Sequence, residues 1–311
     1  MSAPIPTRPL GKTGEQVSIL SLGGWHLGVP ERSEAIRIIH AAIDAGITFM
    51  DNAWEYNDRE SEFRMGDALA QDGYRDKVFL MTKNCAHDRL ASTSMARLEE
   101  SLAALKTDYL DLWQIHEVVW EDDPDRIFAP GGAAEAMLKA KEQGKVRYIG
   151  FTGHKSPAIF RRMLELAPEY PWDTIQCPVS VLDWHYNSFQ QEILPMASAR
   201  GIGVIGMKSL AAGKVMTDTD LDAVEAMTYS LSLPISTLCV GIDSWKVLEQ
   251  DIALARGFTP LSEAAMRAMR EKAYSHAWHG RNELFKTSHD FEGNEGRKVH
   301  GMALMGAAVD D

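Results

Sequence analysis

Short apolar runs alternate with longer stretches of helical spacing along nearly the whole chain. The runs 17–22, 47–51, 77–82, 109–115, 146–151, 174–177, 202–205 and 235–240 are short, with β-branched or aromatic residues in nearly all of them. That pattern suits strands buried on both faces. The segments between them predict helices over 33–45, 61–69, 92–105, 133–143, 157–166, 191–200, 221–229 and 244–255, and a further helix over 261–274. Ser33 and Ser61 stand where N-caps belong, Pro157 sits in a first turn, and Gly46, Gly144 and Gly201 mark stops. A turn at 9–14 predicts a small hairpin ahead of the first unit. Eight strand-then-helix units follow without a Pro/Gly/Ser linker. They predict one domain over 1–311: a closed (β/α)8 TIM barrel, with a short N-terminal β-hairpin and an extra C-terminal helix. From 287 to 311 periodicity is weak, so that stretch is expected as a loop or partly ordered tail.

A barrel of this kind concentrates chemistry at the C-terminal ends of its strands. Those ends hold Gly24 and Trp25, Asp51 through Tyr56, Lys83, His116, Thr152, Gln176, Met207 and Lys208, and Gly241. Asp51, Tyr56, Lys83 and His116 come from consecutive strand ends. Each is commonplace alone; together they make a proton-donating site. A phenol at its ordinary pKa of ~10 is a weak donor at neutral pH, and a neighbouring ammonium favours the phenolate. Lys83 is expected to lower Tyr56, with Asp51 holding the ammonium and His116 orienting a substrate oxygen. Such a site protonates the oxyanion that forms when hydride reaches a carbonyl carbon, and a nicotinamide is the usual hydride source.

Charge and composition exclude other classes. The 311 residues carry 32 Lys+Arg against 44 Asp+Glu, a formal net charge of −12, which argues against a nucleic-acid partner. No apolar run is long enough to span a membrane and no secretory h-region opens the chain, so a cytoplasmic protein is expected. Cys85, Cys177 and Cys239 are scattered and form no disulfide or metal pattern. His276 and His279 have helical spacing but no carboxylate framework, so no metal is expected. The glycines of 201–206 match a dinucleotide fingerprint in letters only, since they run through a strand instead of opening a helix.

The segment Ile47-Thr48-Phe49-Met50-Asp51-Asn52-Ala53-Trp54-Glu55-Tyr56, following Gly46, resembles the aldo-keto reductase signature Gly-x-x-x-x-Asp-x-Ala-x-x-Tyr. Ser61-Glu62 with Gly66-Asp67-Ala68-Leu69, Thr82-Lys83, Gln114-Ile115-His116 and Gly144-Lys145-Val146-Arg147-Tyr148-Ile149-Gly150 are similar to further segments of that family. The resemblance runs from about Arg8 to Asp251. It implies the same barrel, an NADP or NAD cofactor across the strand ends, Tyr56 as proton donor, Lys83 and Asp51 as its tuning pair, and His116 as substrate orienter.

It also implies cofactor contacts. Thr152, Gly153 and Gln176 take the carboxamide positions, although the family's Ser-Asn pair is here Thr-Gly. Met207 takes the ring-stacking position, and Lys208, Ser209 and Leu210 the pyrophosphate side. Gly24, Trp25 and Asp51 flank the nicotinamide. Gly241, Asp243, Val247 and Asp251 occupy the adenosine end, where acidic groups disfavour a 2′-phosphate and leave NAD tolerated. Trp25, Trp54, Tyr56, His116 and Trp120 are the expected substrate contacts, with Trp278 a further aromatic candidate. The acidic loop 117–125 favours neutral aldehydes, ketones or sugars. Two alternatives stay open: a sugar dehydrogenase, isomerase or epimerase using the same residues, and a non-catalytic cofactor-binding subunit like the potassium-channel β subunits.

Overall fold

The computed structural model describes residues 3–305. The chain opens with an antiparallel hairpin, β1 (Thr7–Pro9) and β2 (Gln16–Ser18). Eight parallel strands then close a barrel: β3 (Leu20–Gly23), β4 (Phe49–Asp51), β5 (Phe79–Asn84), β6 (Leu110–Ile115), β7 (Val146–Thr152), β8 (Thr174–Pro178), β9 (Gly203–Met207) and β10 (Thr237–Gly241), with β10 pairing back onto β3. The expected first strand, 17–22, is two strands. Ser18 turns its hydroxyl inward, donating to Leu20 O (2.6 Å) and accepting from Thr48 N (3.0 Å), and the chain bends there from hairpin into barrel.

The helices are α1 (Arg32–Ala45), α2 (Glu60–Leu69), α3 (Ala91–Leu105), α4 (Asp123–Phe128), α5 (Ala133–Glu142), α6 (Pro157–Leu166), α7 (Phe189–Ala199), α8 (Lys214–Asp218), α9 (Ala223–Leu231), α10 (Trp245–Gly257), α11 (Glu263–Ala277), α12 (Leu284–Thr287) and α13 (Asn294–Val299). The large core lies between the barrel and this helical ring. A second cluster fills the barrel floor, where Leu10 and Val17 of the hairpin meet Phe49, Phe79, Met81, Leu112 and Ile205. The hairpin turn presses onto β9. Gly11 has φ +53°, and a Cβ there would stand 2.3 Å from Gly203 N, so no side chain fits. With the floor plugged, the C-terminal mouth is where the chain can host chemistry.

Two segments differ from their expected form. The acidic stretch 117–125 is no solvated loop. Glu117 and Asp123 are buried, Asp123 opens α4, and Glu121, Asp122 and Asp125 stay exposed. Asp123 is buried because Arg89 reaches it at 2.7 Å, a partner that a local reading of charge cannot see. The segment from 287 onward, expected as a loop or partly ordered tail, carries α13 and packs over the mouth; residues 306–311 lie outside the described residues. Gly293 N donates to both carboxylate oxygens of Glu117 (3.1 and 3.0 Å) and Lys155 pairs with Glu292 (2.6 Å). Among the described residues no helix is long and apolar enough to cross a membrane.

Candidate active site

Strand register sets the site. Asp51 ends β4, Lys83 lies one residue from the end of β5, and Gln176 faces Thr152 across β8 and β7. Their side chains converge inside the mouth. Lys83 Nζ donates to Asp51 Oδ1 (2.6 Å), to Asn52 O (2.9 Å) and to the Tyr56 hydroxyl (3.3 Å). Gln176 Nε2 donates to the other Asp51 oxygen at 2.8 Å. Lys83 is only 1% exposed, and a buried ammonium is tolerable only with partners of this quality. The four expected tetrad members therefore sit together, Tyr56 ending the Gln176–Asp51–Lys83 chain and His116 lying beside it. The Tyr56 ring meets Trp25 and His116 edge-on, with centroids 5.6 and 5.7 Å away.

Tyr56 reaches this place through a strained loop. Asn57, Asp58 and Arg59 take φ of 53°, 51° and 75°, three successive left-handed residues that are not glycine. Arg59 anchors the loop by donating to Glu62 (3.1 Å) and to Glu100 O (2.8 Å). The same anchor draws Trp54 away from the site. The Trp54 indole donates to Glu100 on α3 at 2.7 Å, and the guanidiniums of Arg97 and Arg59 lie 3.7 and 5.2 Å from its ring centre. The Trp54 indole N–H is thus taken up by Glu100.

The expected electrostatics of Tyr56 need correcting. Burial pushes the phenol well above its ordinary value, and the Asp51 charge adds to this, so Lys83 does not lower it here. The phenol is held in its protonated form, the form that donates. Lys83 is left to stabilise the phenolate as the proton departs.

His116 has a partner the sequence reading missed. Its Nδ1 lies 2.8 Å from Glu55 Oε1 and 3.1 Å from Cys85 Sγ. Burial lowers the imidazole to about 4, against the pull of Glu55. Burial raises the Glu55 carboxyl, but hydrogen bonds from His116 and His87 outweigh this and hold it below the usual carboxylate range. Nδ1 thus lies between the Glu55 carboxylate and the Cys85 thiol, and in the tautomer that carries its proton on Nδ1 the other nitrogen, Nε2, is an acceptor. His87, also missed, places Nε2 3.3 Å from Glu55 Oε2 and 4.0 Å from Glu117 Oε2. Burial and the Glu55 charge push Glu117 well above the usual range. Glu55 is legible in hindsight as the titratable neighbour of Tyr56, and His87 as the titratable residue just past a strand end.

Around this centre the remaining residues fall into place unevenly. Thr152 is buried at the end of β7. Gly153 explains the lost amide: a Cβ there would stand 2.4 Å from Val118 O and 2.9 Å from the Phe160 ring. Gly153→Ala is expected to cost ~1–3 kcal/mol through overpacking, read as a lower urea midpoint with unchanged slope. His154, not anticipated, follows it. Burial, then the Lys208 and Lys155 charges, keeps its imidazole far below the ordinary value, and among the described residues its Nε2 has no partner. Met207 ends β9 half-buried, with Ser209 buried and Leu210 half-buried beyond it. The Lys208 ammonium lies over Phe285 and Phe291 of the C-terminal segment (5.1 and 5.0 Å), and burial lowers it to about 8.

In the first loop, a Cβ on Gly24 would stand 2.7 Å from Ser61 Oγ, and Trp25 is 53% exposed at the mouth. At the adenosine end, Gly241 sits under the His26 ring, and Asp243 and Val247 are half-buried. Asp251 does not face outward. It shares the buried face of α10 with Leu248 and Ala255, and burial raises its carboxyl to about 7. Trp120 stacks on His300 and His289 of the C-terminal segment, with centroids at 3.9 and 5.2 Å. A cavity of about 550 Å³ beside it is lined by Glu121 and Asp125 but also by Lys155 and Arg162, so the expected acidic rim is of mixed charge. Trp278 is 56% exposed, and among the described residues its one aromatic neighbour is His279, tilted at 55°.

The chain matches the aldo/keto reductase family over residues 19–271. Aldo-keto reductase YhdN of Bacillus subtilis is 30% identical over 217 residues, covering 66% of this chain and 62% of that protein. The 6-dehydroglucose reductase of Novosphingobium aromaticivorans is 35% identical over 163 residues, covering 47% and 52%. The chain thus spans about half to three-fifths of the length of these two relatives. The holo form of aldo-keto reductase AKR11C1 from Bacillus halodurans has the same fold, with a TM-score of 0.72 over 90% of this chain and 99% of that one at 23% identity. With the signature residues gathered at the strand ends and the match spanning most of the barrel, the chain belongs to the aldo/keto reductase family.

Proposed function

We propose that this protein reduces a carbonyl of a small aldehyde, ketone or sugar to an alcohol at the expense of NADPH or NADH. The observation that carries the reading is the Lys83 ammonium, held by Asp51 at 2.6 Å and reaching the Tyr56 hydroxyl at 3.3 Å. A bound nicotinamide supplies the hydride. Every other requirement falls on the chain. Tyr56 gives its proton to the developing alkoxide, and Lys83 stabilises the phenolate left behind. Asp51 keeps Lys83 in place, and Gln176 keeps Asp51 in place. Gln176 Oε1 is buried without a partner among the described residues and fits a carboxamide N–H, while Thr152 supplies a hydroxyl beside it. Met207 and Trp25 are the side chains suited to cover the ring, and Ser209 and Lys208 to meet phosphate.

His116 orients the substrate through Nε2. In the tautomer whose Nδ1 proton faces the Glu55 carboxylate that nitrogen accepts, and a hydroxyl next to the reacting carbonyl is the natural donor. This favours hydroxy-carbonyl compounds, and the similarity to a 6-dehydroglucose reductase adds sugars to the substrates to test. The same groups run in reverse in alcohol oxidation. A panel of aldehydes, ketones and sugars, followed by NAD(P)H absorbance, tests the reading. Turnover of at least one class is expected. Cofactor binding with no turnover across the panel would favour the binding-subunit alternative.

At the adenosine end Asp243 remains beside Gly241, whereas Asp251 faces the core. A dianionic 2′-phosphate near Asp243 is repelled and a free ribose hydroxyl is not. NADH is therefore expected to serve, with an efficiency ratio in favour of NADPH below ~1000-fold. A larger ratio in parallel kcat/KM measurements removes this assignment. Cytoplasmic location and a partner set limited to small molecules belong to the same proposal.

A further inference from the structure

Glu55, Cys85, His87 and His116 bring one potential ligand atom each into a space no wider than 4.8 Å. They come from three places: the loop after β4, the end of β5 and the end of β6. That separation is why sequence spacing showed no metal pattern. The nearest pairs are His116 Nδ1 and Glu55 Oε1 at 2.8 Å and His116 Nδ1 and Cys85 Sγ at 3.1 Å, and His87 Nε2 approaches the other Glu55 oxygen at 3.3 Å. Zinc with nitrogen, sulfur and oxygen ligands needs edges of about 3.3–3.8 Å. With the four donor atoms within 4.8 Å of one another, side-chain movements of about an ångström reach such edges.

We propose that this cluster is a binding site for a tetrahedral divalent transition metal, zinc above all, and that the bound metal switches off the adjacent reductase site by taking His116 as a ligand.

The chemistry of the donor set supports zinc. Two imidazoles, one thiolate and one carboxylate are all ligands that zinc accepts, and oxygen-seeking magnesium or calcium does not select such a set. The charges balance. The Glu55 carboxylate and a Cys85 thiolate together cancel the two positive charges of the ion, so the nearby Lys83 ammonium meets a neutral complex. On binding, the Cys85 proton leaves to solvent. The proton that His116 Nδ1 shares with Glu55 moves to Nε2, the nitrogen that otherwise accepts from the substrate. His87 Nδ1 has no hydrogen-bond partner among the described residues, so moving its proton there to free Nε2 breaks no other bond; the metal bond to Nε2 offsets the cost of the unpaired N–H. Gly293 and Gly296 of the C-terminal segment lie against Glu55 and His87 and cover the cluster. Glu117 lies 4.0 Å from His87 Nε2, on the side where the ion would bind.

The inhibition rests on His116 as substrate orienter, whereas the metal binding does not. The test therefore reads both. Chelator-treated full-length protein is titrated with cobalt(II) and zinc. One equivalent of cobalt is expected, with a near-ultraviolet thiolate-to-metal band and the intense visible bands of a tetrahedral ion, and zinc displaces it. Cys85→Ser loses the thiolate band. His87→Ala weakens zinc binding by more than the roughly 10–100-fold typical of losing a supporting partner, and its near-native circular dichroism shows that folding is kept. Zinc inhibits turnover of the wild type and spares His87→Ala, each rate taken against its own zinc-free value. Absence of stoichiometric binding, cobalt bound without the thiolate band, or wild-type affinity in both variants overturns the site. Binding with the full cobalt signature in a protein that turns over no substrate supports the site and removes the reductase reading instead.

Discussion

Tyr56→Phe is expected to lose roughly 10²–10⁴-fold of carbonyl-reducing turnover while still binding NADPH or NADH. The substitution deletes one oxygen. The ring that meets Trp25 and His116 edge-on stays, and so does the Lys83–Asp51 pair at 2.6 Å that holds the strand ends together. Folding and cofactor affinity should therefore hardly change, and the loss should appear in kcat. The pH profile adds a second check. Burial and the Asp51 charge hold the Tyr56 phenol protonated well past neutrality, and burial keeps His116 neutral down to about 4. Wild-type kcat is then flat from pH 6 to 8 as far as these two groups are concerned, and falls on the acid side only as His116 takes up a proton near 4. Steady-state kinetics on the best panel substrate, with cofactor binding followed by fluorescence, measures both. Unchanged turnover in Tyr56→Phe would remove it as proton donor.

The parts legible in the sequence are those fixed by local periodicity and by one-residue chemistry at strand ends. Strand-helix alternation placed the barrel, and Asp51, Tyr56, Lys83 and His116 meet because consecutive strands of a barrel are neighbours. What remained illegible depends on the third dimension. Trp54 sits two residues from Tyr56, yet its indole is captured by Glu100, Arg97 and Arg59, none of which its own segment predicts to be near. Asp251 has a helical spacing from Leu248 and Ala255 that puts it on the buried face of α10, a pattern visible in principle but masked by its charge. The sign of the Tyr56 shift could not be read from the presence of Lys83, because burial outweighs the ammonium. The Glu55–His116 pair joins a loop to a strand end 61 residues on, and Glu117 is met by Gly293 of the C-terminal segment, which packs back across the mouth over a separation of 176 residues.

Arg89→Met is expected to cost ~3–5 kcal/mol of stability, the largest effect we foresee for a residue outside the proton-transfer site. Arg89 is fully buried and points its whole guanidinium at groups that line the mouth. Nε donates to Asp123 Oδ1 (2.7 Å), and the two terminal nitrogens donate to His116 O (2.8 Å) and Glu117 O (2.7 Å). Methionine fills much of the volume but leaves two buried carbonyls unpaired and a buried carboxylate with only Val119 N and Trp120 N as donors. In the wild type, burial raises Asp123 but the Arg89 charge and hydrogen bond prevail and hold it below its ordinary value. A depressed folded pKa means that this stabilisation is present above the unfolded value of ~3.9 and is lost as pH falls through the folded one. Without Arg89 the push of burial is opposed only by the two backbone donors, so the carboxyl rises and protonation relieves the variant. The stability gap between wild type and Arg89→Met should be widest near pH 7 and narrow toward pH 4. Urea unfolding at both values measures this. Arg89→Met combined with Asp123→Leu should recover part of the loss, because replacing both members of a buried ion pair by apolar groups removes the stranded charge. A single-variant cost below ~1 kcal/mol at neutral pH, the scale of an exposed pair, would contradict the burial that the structure assigns to Arg89 and Asp123.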